Sequence, residues 1–93
     1  MPGDLTVRQV AGLSRPGHHR VSRSLYVQVT PTGTRSWLFR YTRAGTAHWM
    51  GLGPLDLVTL ADARAKVLVH RRALLDGDDP LAQRRAVRAH PRA

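Results

Sequence analysis

The sequence contains neither cysteine nor glutamate, and its only lysine is Lys66. Without cysteine, disulfide bonds, thiolate metal ligands and a thiol nucleophile are excluded. No apolar run approaches the roughly 18 residues that a membrane-spanning helix requires, and the first residues lack the pattern of a signal peptide. The 93 residues suffice for one small domain and a tail, which argues against an enzyme with a deep cleft. We therefore expect a cytoplasmic domain without cofactor, small-molecule substrate or membrane contact.

The positive charge is large and unevenly distributed. The net charge is +9, with +6 in residues 1–50, −1 in residues 51–80 and +4 in residues 81–93. Nearly all of the cations are arginines, whose guanidinium groups form paired hydrogen bonds with phosphates and guanine edges. A GC-rich genome also favours arginine over lysine, but it does not explain why acidic residues are scarce and segregated. The charge pattern therefore favours a polyanionic partner.

Residues 24–53 alternate between apolar and polar side chains with the period of two that is typical of β-strands. Strands are predicted over residues 24–30, 35–43 and 46–52, with turns at residues 30–33 and 44–45. Connections this short make neighbouring strands antiparallel. Trp37, Phe39 and Tyr41 share one face of this meander, and we predict that they pack in the core instead of stacking on bases.

A helix is predicted to follow the meander. Thr59 is a good N-cap with Asp62 three residues later, and Gly77 and Pro80 mark the end of the helix. The predicted fold is α+β, a three-stranded antiparallel meander packed against one C-terminal helix. The segment before residue 24 allows either a helical turn or a short extra strand. We place the domain at residues 1–80, and residues 81–93, with few apolar anchors, form a basic linker or tail.

Sequence motifs occur at the junctions between these elements. They are Leu-Tyr-Val-Gln-Val-Thr-Pro-Thr-Gly at 25–33, Ser-Trp-Leu-Phe-Arg-Tyr at 36–41, Met-Gly-Leu-Gly at 50–53, Thr-Leu-Ala-Asp-Ala-Arg at 59–64 and Gly-Asp-Asp-Pro at 77–80. Together they resemble the N-terminal arm-type DNA-binding domain of phage and genomic-island integrases, which are tyrosine recombinases. The resemblance covers about residues 5–80. Leu38 and Ala47 depart from it, because relatives often carry a basic residue at these positions, and Trp49 replaces a small polar residue.

The resemblance implies a domain that binds double-stranded DNA at arm-type sites, within a recombinase that acts in DNA integration and excision. The catalytic arginine, lysine, His-x-x-Arg pair and tyrosine of such recombinases lie in separate domains. We therefore do not expect this chain to be an enzyme by itself. Other integrase domains or protomers are further expected partners.

The face of the sheet opposite the aromatic core, together with the basic segment before the first strand, supplies the candidate DNA contacts. Gln28 and Arg40 are the candidates for base contacts, and Arg35 and Thr42 for phosphate contacts. The remaining candidates are Tyr26, Trp49, Arg20 and Arg23. An ordinary solvated sheet surface is the alternative interpretation of this face.

Two other functions remain open at this stage. The same basic sheet could bind RNA, or Trp49 and Leu38 could form an apolar patch for self-association or for docking other domains. A metal site is not predicted, because the adjacent His18 and His19 of an extended segment point in opposite directions and the other histidines lack ligand spacing.

Overall fold

The computed structural model describes the backbone of residues 4–89 and the side chains of residues 4–85. The elements are helix α1 (Val7–Ala11), strands β1 (Gly17–Ser22), β2 (Leu25–Val29), β3 (Arg35–Arg43) and β4 (Thr46–Pro54), and helices α2 (Leu60–Leu75) and α3 (Pro80–Ala89). The four strands form one antiparallel sheet in the order β1-β2-β3-β4. The predicted α+β class is confirmed, and the N-terminal segment supplies both a helical turn and an extra strand.

Tight turns set the register of the central strands. Ala44 and Gly45 both have positive φ, which is the pattern of the type I′ turn that suits a two-residue hairpin. In the β2–β3 turn, the Gly33 N–H donates to the Thr30 carbonyl over 2.9 Å. With this register, Val27 pairs with Trp37 across the β2–β3 ladder, so strand alternation sorts both strands onto the same two faces.

One face of the sheet is covered by α2 and forms the core. Trp37, Phe39 and Tyr41 are buried there, as predicted, together with apolar residues of the other strands. Leu60, Ala63 and Val67 form the buried stripe of α2 that packs against them. The Trp37 indole donates from Nε1 to the Val58 carbonyl over 2.7 Å, so its polar atom is satisfied within the core.

A bulge at Leu52 carries β4 to Pro54, two residues beyond the predicted end of this strand. The β3–β4 register shifts between Trp37, which pairs with Gly53, and Leu38, which pairs with Gly51. Gly53 has φ +118, and a Cβ at this position would lie 2.8 Å from Val58 Cγ2. Glycine therefore allows the connection to α2 to lie directly against the sheet.

The start of α2 confirms the predicted capping box, because Thr59 and Asp62 each accept a hydrogen bond from the other's backbone N–H. At its end, Gly77 adopts positive φ one residue after the C-cap Asp76. The Gly77 N–H donates to the Leu74 carbonyl, and the Asp78 N–H donates to the Ala73 carbonyl. This pair of bonds is the Schellman motif.

Helix α3 was not predicted from the sequence. Asp79 acts as its N-cap, since its Oδ1 accepts the Leu81 N–H over 3.2 Å as well as the Tyr41 hydroxyl over 2.6 Å. Pro80 is buried and Leu81 packs against the core. The predicted tail therefore begins as a helix, and residues 90–93 lie outside the described part of the chain. The domain boundary at residue 80 stays a prediction.

Candidate nucleic-acid interface

The face of the sheet that α2 does not cover is called the open face below. Strand pairing and alternation place eleven side chains on it. They are those of His18, Arg20, Tyr26, Gln28, Ser36, Leu38, Arg40, Thr42, Ala47, Trp49 and Pro54.

The open face carries no carboxylate. All six aspartates of the chain lie outside the strands, in the segment before α1, in the connections around α2, or in α2 itself. Arg20 and Arg40 therefore set the sign of the charge on this face. A cationic, acid-free sheet surface attracts a polyanion and places no like charge against it.

The structure brings five of the eight predicted contact residues together on β2, β3 and β4. Arg40 and Thr42 are exposed, Tyr26 and Gln28 are half-buried, and the Trp49 side chain remains 36% exposed. A sixth candidate, Arg20, lies beside them on β1, where it pairs with Tyr26 and is exposed.

Trp49 is the centre of an aromatic cluster on the open face. Its ring centroid lies 4.3 Å from that of His18 and 5.0 Å from that of Tyr26, in an edge-to-face arrangement with the tyrosine. The Arg40 guanidinium carbon lies 5.6 Å from the Trp49 ring centroid, within the range of a cation–π contact. The Trp49 ring therefore contacts one residue from each of the other three strands.

Arg35 lies on the opposite side of the sheet from Arg40. Its Nη1 donates to the carbonyl of Ala11 over 2.8 Å and to that of Leu13 over 3.4 Å, so the guanidinium anchors the end of α1 against β3. A phosphate contact by Arg35 stays a prediction, and it would require the side chain to leave these carbonyls.

Arg23 lies in the β1–β2 turn, also away from the centre of the open face. It lines a shallow groove together with Arg64 and Arg71 of α2 and with Asp4. Its phosphate contact likewise stays a prediction, and it would involve DNA that extends past the edge of the sheet.

Sequence reasoning missed the roles of two further arginines and of His18. Arg43 donates to the Gly77 carbonyl over 3.3 Å, and Arg84 donates to the Gly51 carbonyl over 2.8 Å, so both connect the sheet to the C-terminal helices. His18 is not among the DNA contacts predicted from the sequence, whereas β1 pairs it with Gln28 on the open face. No local pattern in the sequence predicts that pairing.

The residues whose pKa values are shifted lie on the helix-covered side of the sheet. Burial raises the pKa of Tyr41, and its hydrogen bond to Asp79 adds to this effect. The same hydrogen bond lowers the pKa of Asp79. Burial lowers the pKa of His70, and the nearby Arg84 and Lys66 lower it further. These shifts report how α2 and α3 pack on the sheet.

The described residues form neither a recognisable metal site nor a membrane-spanning helix. Among residues 4–89, no group of three or more histidine or acidic side chains is arranged to hold a metal ion. Within the same part of the chain, no helix has the length and apolar character needed to span a membrane.

Comparison with protein families gives a match over nearly the whole chain. The family described as Arm DNA-binding domain matches residues 4–87, a range that includes the four strands, α2 and most of α3. No curated protein matches the sequence.

Proposed function

Because this chain belongs to the arm DNA-binding domain family, whose domains bind DNA and are found in integrases, we propose that its open face binds double-stranded DNA. In this proposal the chain is the N-terminal domain of a tyrosine recombinase encoded by an integrated element such as a prophage. It holds arm-type sites during integration and excision in the cytoplasm, while other domains of the parent protein perform the catalytic steps.

The observation that carries the proposal is the chemistry of the open face. This surface combines exposed Arg40 and Arg20, the amide of Gln28 and the hydroxyl of Thr42, and no strand contributes a carboxylate. The major groove of B-form DNA is about 12 Å wide and admits a two-stranded β-ribbon. The paired strands β2 and β3 provide such a ribbon, with Gln28 and Arg40 on its outer side.

Four polar residues of the open face have chemically defined roles in this proposal. Arg40 donates its paired N–H groups to guanine O6 and N7, and the Gln28 amide pairs with adenine N6 and N7. Thr42 and Arg20 contact phosphates at the margins of the groove, which fixes the register without reading the sequence. Tyr26 and Trp49 lie between these polar groups.

The salt dependence of binding tests the proposal. If about five phosphates are neutralised, the logarithm of the association constant should fall with the logarithm of salt concentration with a slope of about −4 to −5. Affinity for a duplex should then drop by several hundred-fold between about 50 and about 200 mM salt. Fluorescence anisotropy titrations with labelled duplexes measure this slope. A complex that is insensitive to salt would contradict the proposal.

RNA binding is the alternative that shares the same electrostatics. The major groove of an A-form duplex is too narrow and deep for a β-ribbon, so matched RNA duplexes should compete poorly with DNA. RNA that displaces DNA at equal concentration would favour the alternative.

The hypothesis of self-association through an apolar patch has less support than DNA binding. Leu38, one of the two residues predicted for that patch, is only 9% exposed. Light scattering of the chain and of Trp49→Ser tests this alternative, because an assembly held by the patch should dissociate in the variant.

A further inference from the structure

The Trp49 ring contacts the rings of His18 and Tyr26, so it lies over the centre of the open face. Trp49 is on β4 and His18 is on β1, so they occupy the two outer strands of the sheet. Three strand spacings of about 4.8 Å would separate these strands by roughly 14 Å in a flat sheet. The two rings nevertheless lie 4.3 Å apart. The side chains alone do not span this separation, so the twist and coiling of the sheet also bring the two rings together over β2 and β3.

This arrangement explains why Leu38 is buried on a face that α2 does not cover. Leu38 lies on β3 between Tyr26 of β2 and Gly51 of β4. Gly51 offers no side chain, whereas Tyr26 pairs directly with Leu38 and contacts the Trp49 ring, so these two rings form an apolar cover beside Leu38. We call His18, Tyr26, Leu38 and Trp49 the aromatic platform. It makes the centre of the open face apolar, with Arg40 held over the Trp49 ring.

An apolar platform selects among base edges in the major groove. The thymine 5-methyl group is the apolar group that base pairs display there, whereas guanine displays the acceptors N7 and O6. Acceptor atoms are repelled by the negative face of an aromatic ring. They would also lose water without gaining a donor, which costs free energy. A thymine methyl group that packs against the indole also loses its contact with water. Because the group is apolar, it gives up no hydrogen bond.

We infer that the aromatic platform contacts thymine methyl groups, so that the chain prefers thymine over cytosine or guanine at the base pairs facing the centre of its sheet. This inference rests on the proposed function, since it requires the open face to lie in the major groove. It adds an apolar contact for thymine to the polar contacts assigned to Arg40 and Gln28.

Replacement of thymine by uracil tests the inference without altering the protein. The probes are a duplex of alternating A·T base pairs and the same duplex with deoxyuridine in place of thymidine. Burial of one methyl group corresponds to about a fourfold change in affinity, so the uracil duplex should bind about fourfold more weakly for each methyl group contacted. A duplex of alternating G·C base pairs should conversely bind more tightly when its cytosines carry a 5-methyl group.

Variants of the full chain assign the effect to the platform. Trp49→Gln should bind the thymine and uracil duplexes equally, whereas Ser36→Ala, a control on the same face, should retain the preference for thymine. Because Trp49→Gln also uncovers Leu38, a thermal melt should accompany it. Trp49→Phe, which keeps a ring over Leu38, should show a reduced but measurable preference.

The possible failures are distinguishable. Equal affinity of the unaltered chain for both duplexes, with strongly salt-dependent binding, would overturn this inference and leave the proposed function intact. Absence of salt-dependent duplex binding would overturn both. A thymine preference that survives in Trp49→Gln would overturn the assignment to the platform.

Discussion

At the scale of single residues, strand parity separates two arginines of the same strand. Arg35 and Arg40 are five positions apart on β3, so alternation places them on opposite faces of the sheet. Both are predicted DNA contacts from the sequence, although Arg35 shares the parity of Trp37 and the core. The structure shows the consequence, since Arg35 holds α1 while Arg40 lies over Trp49. Strand alternation, if it is applied to Arg35 as well, predicts that the two arginines lie on opposite faces.

Substitution of these two arginines should affect different properties. Arg40→Gln should weaken DNA binding by about 1–3 kcal/mol and relax the preference for guanine at the base pair that Arg40 reads, with little change in stability. Arg35→Gln should lower the free energy of unfolding by about 1–2 kcal/mol, because α1 loses a charged donor. Anisotropy titrations and urea unfolding measure the two effects. If Arg35→Gln instead weakens binding more than folding, the phosphate contact predicted from the sequence is supported.

At the scale of elements, local signals were sufficient for the meander and for α2. The turns at Gly33 and Ala44–Gly45 and the capping box at Thr59 depend on residues within a few positions of each other. Helix α3 depends on a distant partner, because Asp79 accepts the Tyr41 hydroxyl from β3, and a contact of this range leaves no periodic trace in the sequence. Strand β1 pairs with β2 across a two-residue turn, but its residues Gly-His-His-Arg-Val-Ser lack the apolar alternation of the other strands.

The packing of α2 and α3 on the sheet should make stability depend on pH through His70. His70 stacks on Phe39, with ring centroids 5.6 Å apart, and burial and the cations Arg84 and Lys66 lower its pKa below the ordinary 6.5. The unfolded chain therefore binds a proton more readily than the folded chain as the pH falls. The free energy of unfolding should decrease as the pH falls through about 6.5 and level off below the folded-state pKa.

The His70→Gln variant isolates this contribution. Urea unfolding at about pH 7.5 and about pH 5.5 should show a smaller loss of stability on acidification for the variant than for the unaltered chain. An equal loss in both proteins would mean that protonation of His70 does not oppose folding.

At the scale of the whole molecule, one side of the sheet forms the core and the other carries the exposed cations. The helix-covered side holds the core and the contacts of Arg35, Arg43 and Arg84 with backbone carbonyls. The open side keeps Arg20 and Arg40 exposed, with no acidic residue on the strands. The sequence predicted this division from the alternation of residues 24–53. It could not predict that Trp49 lies across the open side, because the contact with His18 spans the entire sheet.

The central claim is that the open face, and not the helix side, meets DNA. The chain contains no cysteine, so a single introduced thiol reports its position without interference. Thr42→Cys places a thiol on the open face, and Ala65→Cys places one on the exposed side of α2. With saturating duplex DNA at low salt, alkylation should slow strongly at residue 42 and remain unchanged at residue 65. Protection at residue 65 with free reaction at residue 42 would contradict the account.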